Sequence, residues 1–270
     1  MCRLLGWSSA EPRTLAELLA PDALAELAAL SRKHADGWGM AWYDEDGRLR
    51  TLRSREAAWR SQEYAAAMAE VRSDAGFLHL RWATAGLAVT PRNTHPFVAG
   101  GWAFAHNGAI RPVDGLLPLL GADAELVGET DSERYLHVLR ERVLAAGLEQ
   151  GLRRTVADIC RDLTPSSLNA MLLADGALTA VCCHGSPSGA GGPYVAGPPE
   201  ELPGYFDLRV RRSADALVIS SQPLDDEPWE RLDNGTALTV PRGGVEPGLL
   251  QVGAFPAATR ERERLRRLSA

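Results

Sequence analysis

Met1-Cys2-Arg3-Leu4-Leu5-Gly6-Trp7 opens the chain, and the reading of Cys2 decides which fold to expect. A small side chain at position 2 permits removal of the initiator methionine. Cys2 then carries a thiol and a free α-amine on one residue. An α-amine has a pKa of about 8, so a sizeable fraction is neutral at pH 7 and accepts a proton. Nucleophile and base thus come from a single residue, as in an N-terminal threonine activated by its own amine. The plain alternative is a small hydrophobe at the start of a strand. Cys2 to Trp7 does read as a short strand, ending at the turn-forming pair Ser8-Ser9.

Working outward, Thr14 with Glu17 three residues on is an N-cap signature for a Leu/Ala-rich helix to about Leu30. Ala35-Asp36-Gly37-Trp38-Gly39 leads into a strand, and two glycines so close together call for positive φ or a very near neighbour. Asp44-Glu45-Asp46-Gly47 turns the chain into a second strand at 49–52. Residues 59–71 have helical spacing. Gly76 to Trp82 alternates like a strand and ends on Arg81-Trp82-Ala83-Thr84. The segment 85–101, with Pro91, Pro96 and three glycines, reads as loop and holds Asn93-Thr94-His95-Pro96. Trp102 to Ala105 is a strand stopped by His106-Asn107-Gly108, where Asn-Gly alone signals a turn. Thr130 and Glu133 make a capping box around Asp131, an acid favoured in a helix's first turn. That helix runs to Leu144 and a second spans 148–163. Strands follow at 168–174 and 177–183 about Asp175-Gly176, then at 208–212, 216–221 and 237–240. Residues 186–193 read as a flexible Gly/Ser/Pro loop and 260–267 as a charged tail. With no internal repeat or linker, residues 2–270 read as one domain. The order of elements suggests an α+β fold of two packed antiparallel sheets with helices outside.

Composition removes several classes. The 270 residues carry a net charge of −6 and a hydrophobic fraction of 45%. Nucleic acids and anionic membranes call for a basic face instead. No apolar run reaches the roughly 20 residues of a membrane span, and the N-terminus lacks the apolar core of a secretory signal. Cys2, Cys160, Cys182 and Cys183 show no metal-finger spacing. Adjacent Cys182 and Cys183 point to opposite faces of a strand, and reduced thiols suit a cytoplasmic protein. The histidines and Asp36 have no ligand spacing for a metal hydrolase. No P-loop and no G-x-G-x-x-G element holds a nucleotide. No metal and no cofactor is expected.

Taken in order, the N-terminal Cys, Asp-Gly-Trp-Gly, Arg-Trp-Ala-Thr, His-Asn-Gly and Glu-Thr-Asp-Ser-Glu resemble the class II glutamine amidotransferase domain, a family of N-terminal nucleophile hydrolases. The resemblance is dense from Cys2 to Leu144 and looser beyond. It implies a four-layer αββα sandwich and a Cys2 thioester formed on a γ-glutamyl amide. It gives Asn107 and Gly108 the oxyanion, Arg81 the substrate α-carboxylate and Asp131 the α-ammonium. Thr84 and His95 match positions lining the pocket. Ala85 departs from members that have histidine there. The chain ends about where the amidohydrolase domain should. Short members that begin Met-Cys-Arg include a hydrolase removing γ-glutamate from an ergothioneine precursor, and residues 220–229 resemble a segment of such members. The implied partner is a small γ-glutamyl substrate. Two alternatives stay open: a glutaminase subunit feeding ammonia to a separate synthetase chain, and an inactive binding module.

Overall fold

The computed structural model describes residues 2–83, 88–185, 204–253 and 255. The chain opens in β1 (Arg3–Arg13), then α1 (Leu15–Leu18), α2 (Pro21–Lys33), β2 (Trp38–Tyr43), β3 (Leu49–Ser54), α3 (Gln62–Glu70) and β4 (Ser73–Leu80). It continues through β5 (Phe97–Ala99), β6 (Trp102–Asn107), β7 (Ile110–Arg111), α4 (Asp131–Ala146), α5 (Leu148–Asp162) and β8 (Thr164–Pro165). β9 (Asn169–Ala174) and β10 (Ala177–Cys182) form a hairpin, and β11 (Arg209–Arg212), β12 (Ala216–Ser220), β13 (Glu230–Arg231), β14 (Thr236–Pro241) and β15 (Gly248–Gln251) follow. Among the described residues, one sheet has the order β13-β11-β12-β1-β4-β2-β3 and a second β15-β14-β10-β9-β6-β5.

Period-two alternation builds four layers from these two sheets. Leu4 and Phe77 meet Met171 and Leu178 between the sheets. Their neighbours Leu5 and Leu78 face outward onto Leu15, Leu27 and Met68 of the first three helices. On the other side, Leu172 and Val181 pack against Leu136, Leu139 and Ile159 of α4 and α5. The result is the expected αββα sandwich. Cys182 lies between the sheets and Cys183 under the helices, as adjacent strand residues must.

Several local expectations change. β1 runs through Ser8-Ser9 instead of turning there. The Ser8 hydroxyl donates to the Gly244 carbonyl at 2.7 Å, and that of Ser9 to the Glu11 carbonyl, so these side chains are satisfied within a strand. The helix expected to run to Leu30 is two helices. Ala20 is extended ahead of Pro21, which takes the first position of α2; the residue before proline avoids the helical region. The segment expected to be loop to Gly101 contains β5, because Phe97 and Ala99 pair with Phe104 and Trp102. The capping box at Thr130 is half formed. Thr130 accepts from the Glu133 N–H, but the Glu133 carboxylate accepts from Val127 and Gly128. It ties down the approach to α4. The charged stretch at 260–267 and the loop at 186–193 lie outside the described residues.

Candidate active site

Antiparallel pairing sends one end of every central strand to the same edge of the sandwich. β1 begins there, β4 ends there and β2 begins there, with Trp38 opposite Leu80. In the second sheet Asn107, the last residue of β6, stands opposite Asn169, the first of β9. Residues remote in sequence therefore converge beside Cys2.

Cys2 is buried, and its thiol contacts the Trp82 backbone, with the N–H donating at 3.4 Å and the carbonyl accepting at 3.5 Å. Burial pushes the thiol pKa up, offset in part by the Trp82 N–H and the nearby Arg81 guanidinium. A resting neutral thiol needs a base, and the α-amine of a processed chain would be attached to the same residue. Asp131 also acts on this thiol, raising its pKa.

Arg81 is buried at 3% exposure, and burial lowers its pKa while Cys2 and Asp36 oppose that effect. It is clasped by the loop before β2. Its N–H donates to Gly37 O at 2.8 Å, Asp36 N donates to its carbonyl at 3.2 Å, and its Nη1 donates to Asp36 O at 3.3 Å. The Asp36 carboxylate also takes the Ala83 N–H at 2.7 Å. The two glycines here serve both purposes named from sequence: Gly37 has φ +116, and a Cβ on Gly39 would stand 2.0 Å from His95 O.

Asn107 is fully buried, and among the described residues neither its side-chain oxygen nor its nitrogen has a hydrogen-bond partner. An orphaned amide in an interior is rare and costs about 1–3 kcal/mol, which suits a donor held ready for a ligand atom. Gly108 leaves no room for a side chain, since a Cβ would lie 2.1 Å from Ser167 O. Asp131 opens α4, where the helix's positive end favours a carboxylate. Its Oδ2 accepts from Ile110 N at 2.7 Å, which fixes the carboxylate to the turn following Asn107-Gly108.

His95 is buried behind this edge with its ring 4.1 Å from that of His79 and 4.7 Å from that of Phe97. Its ring nitrogens have no hydrogen-bond partner among the described residues. Thr84 lies outside the described residues. Sequence reading missed Asp36 as the brace of Arg81, since the motif drew attention to its glycines. It also missed His106 and Ser132, whose signal was only adjacency to Asn107 and Asp131. Among the described residues no group of His, Cys, Asp or Glu side chains has the geometry to hold a metal ion. No described helix is long and apolar enough to cross a membrane.

A two-sheet αββα sandwich with a cysteine at the head of a central strand defines an N-terminal nucleophile hydrolase fold. The chain belongs to the class II glutamine amidotransferases, whose family model matches residues 1–263. Membership makes it an amide-cleaving hydrolase by class. It is 29% identical to the gamma-glutamyl-hercynylcysteine sulfoxide hydrolase of Mycolicibacterium smegmatis, over 84% of this chain and 90% of that one. Among solved structures it resembles a glutamine aminotransferase class-II domain protein from Silicibacter pomeroyi, with TM-score 0.63, 21% identity, and 93% and 100% of the two chains covered. It also resembles the glutamine phosphoribosylpyrophosphate amidotransferase of Bacillus subtilis, with TM-score 0.60 and 14% identity, covering 93% of this chain and 49% of that one.

Proposed function

We propose that the protein hydrolyses a γ-glutamyl amide through a thioester on Cys2, without metal or cofactor. The observation that carries this reading is the buried, unpartnered amide of Asn107 on the same edge as Cys2, Arg81 and Asp131. A hydrogen-bond donor left idle in the interior fits an oxyanion that exists only during reaction.

The steps follow from the chemistry of the groups. The Cys2 sulfur attacks the γ-carbonyl carbon while the α-amine of processed Cys2 takes the thiol proton. The oxygen, now an anion, is held by the Asn107 side-chain N–H and the Gly108 backbone N–H. The carbonyl re-forms, the C–N bond breaks, and the amine departs with the proton returned by the α-ammonium. Water, deprotonated by the same amine, then cleaves the thioester to give glutamate and free thiol. Arg81 pairs with the α-carboxylate in a forked geometry that lysine does not offer. Asp131 holds the α-ammonium, and the family resemblance assigns Thr84 and His95 to the same substrate. The leaving group is an amino compound larger than ammonia, in keeping with the relative named as a γ-glutamyl-hercynylcysteine sulfoxide hydrolase. The substrate and product are small molecules of a cytoplasmic pool, and residues 2–270 act as one domain.

Glutamate release from L-glutamine and from a panel of γ-glutamyl amino acids and γ-glutamyl thio-amino acids tests this. Faster release from a conjugate than from glutamine is expected. Release from glutamine alone would replace the hydrolase reading with that of a plain glutaminase, and release from none would remove the reading.

A further inference from the structure

His106 precedes the oxyanion residues and sets its ring beside Gly108, in the joint between β6 and α4. Its Nε2 lies 2.9 Å from the Ser167 carbonyl and its Nδ1 3.0 Å from the Ser132 hydroxyl. Ser132 Oγ in turn lies 3.4 Å from Asp131 Oδ1. All three side chains are buried. A carbonyl only accepts, so Nε2 must carry the proton. In the neutral ring Nδ1 is then an acceptor. The single Ser132 proton cannot serve two acceptors at once. Donated to His106 Nδ1 at the shorter distance, it is withheld from Asp131 Oδ1.

We infer that His106 and Ser132 form a positioning pair that keeps Asp131 Oδ1 open for the α-ammonium of the substrate. The inference rests on the γ-glutamyl reading of the site and deepens it by assigning the grip on the ammonium to two further residues. Asp131 Oδ2 already accepts from Ile110 N, which leaves Oδ1 as the less occupied oxygen for the ammonium. Should the ring protonate, Nδ1 would become a donor to Ser132. The hydroxyl would turn to Asp131 and compete with the substrate. The surroundings oppose this: burial lowers the His106 pKa, against the pull of Asp131, while His79 on β4 and His95 lie within electrostatic reach. Tyr135 of α4 sets its ring edge-on, 5.3 Å away. The same His106 ring limits Gly108, where a Cβ would meet Nε2 at 2.7 Å.

The test pairs two substrates, L-γ-glutamyl-p-nitroanilide and glutaryl-p-nitroanilide, which lacks the α-amino group. His106→Gln removes the acceptor for Ser132 and frees its proton for Asp131. A roughly tenfold rise in KM for the γ-glutamyl substrate is expected, the scale of one hydrogen bond to a charged group, with kcat and the glutaryl substrate little changed. Adding Ser132→Ala to that variant removes the competing proton and is expected to recover at least about threefold of the loss, a coupling that independent changes would not show. His106→Asn, with an oxygen near the Nδ1 position, is expected to fall between. Equal losses on both substrates, or no recovery in the double variant, would overturn the pair's role. Nitrogen-15 NMR of the wild-type ring needs no variant that folds: an Nε2–H tautomer at neutral pH is expected, and an Nδ1–H tautomer or a charged ring overturns the inference even where kinetics fail. Failure of the wild type on every γ-glutamyl compound would instead remove the function on which the inference rests.

Discussion

A cysteine at position 2 is chemically ordinary until its neighbours are known. Here the thiol is buried and held up in pKa, so it is no better a nucleophile at rest than any core thiol. In the proposed mechanism its reactivity comes from the α-amine of the processed chain. Cys2→Ala is therefore expected to abolish glutamate release while circular dichroism and the thermal midpoint stay near those of the parent. Asn107→Ala is expected to lower kcat by about a hundredfold to a thousandfold, the scale of one lost oxyanion donor. Its midpoint should not fall, because the amide makes no hydrogen bond among the described residues; a stability loss without a kcat loss would make Asn107 a packing residue. Asp131→Asn separates two roles. A KM at least about tenfold higher is expected from losing the charge on the ammonium. An unchanged KM with lowered stability would leave it a helix-start residue.

At the scale of elements, the close approach of the β2 start to the segment carrying His95 holds the Arg81 clasp. Gly39→Ala places a methyl 2.0 Å from a carbonyl oxygen, and backbone on both sides allows little yielding. A loss of roughly 2–4 kcal/mol in denaturant unfolding is expected, the range of severe overpacking, with a substrate affinity loss following displacement of Asp36. These elements differ in how readable they are from sequence. The strand at 76–80 was legible from its alternation, and those at 169–174 and 177–182 from apolar runs either side of Asp175-Gly176, both faces of which are buried. β5 was not, since three apolar residues among prolines and glycines carry no period and gain their place only by pairing with β6. The break before Pro21 was written in the sequence as plainly as the helix around it, but the Leu/Ala pattern spans the break and conceals it. Among the candidate site residues, motif order pointed to Arg81, Asn107, Gly108 and Asp131. Asp36, His106 and Ser132 act through tertiary contacts that no local pattern encodes.

The whole molecule carries an unusual internal load of titratable rings. His79, His95 and His106 are buried, and burial holds the pKa of each below the ordinary histidine value. Below pH of about 6.5 the unfolded chain takes up protons that the folded chain refuses, so stability rises with pH and falls on acidification. Three such groups cost up to about 4 kcal/mol per pH unit until the folded pKa values are reached. A urea midpoint that drops clearly between pH 7.5 and pH 5.5 is expected. An unchanged midpoint would mean that the rings are charged or hydrated in the fold.

Intact-mass analysis before and after 6-diazo-5-oxo-L-norleucine, a glutamine analogue that alkylates an activated thiol, tests the nucleophile and the pocket together. Loss of Met1 and a single adduct on Cys2, absent in Cys2→Ala and slowed in Asp131→Asn, is the predicted result. A processed chain that takes up no reagent, or takes it up on Cys160, Cys182 or Cys183, would contradict a Cys2 thioester in a γ-glutamyl site.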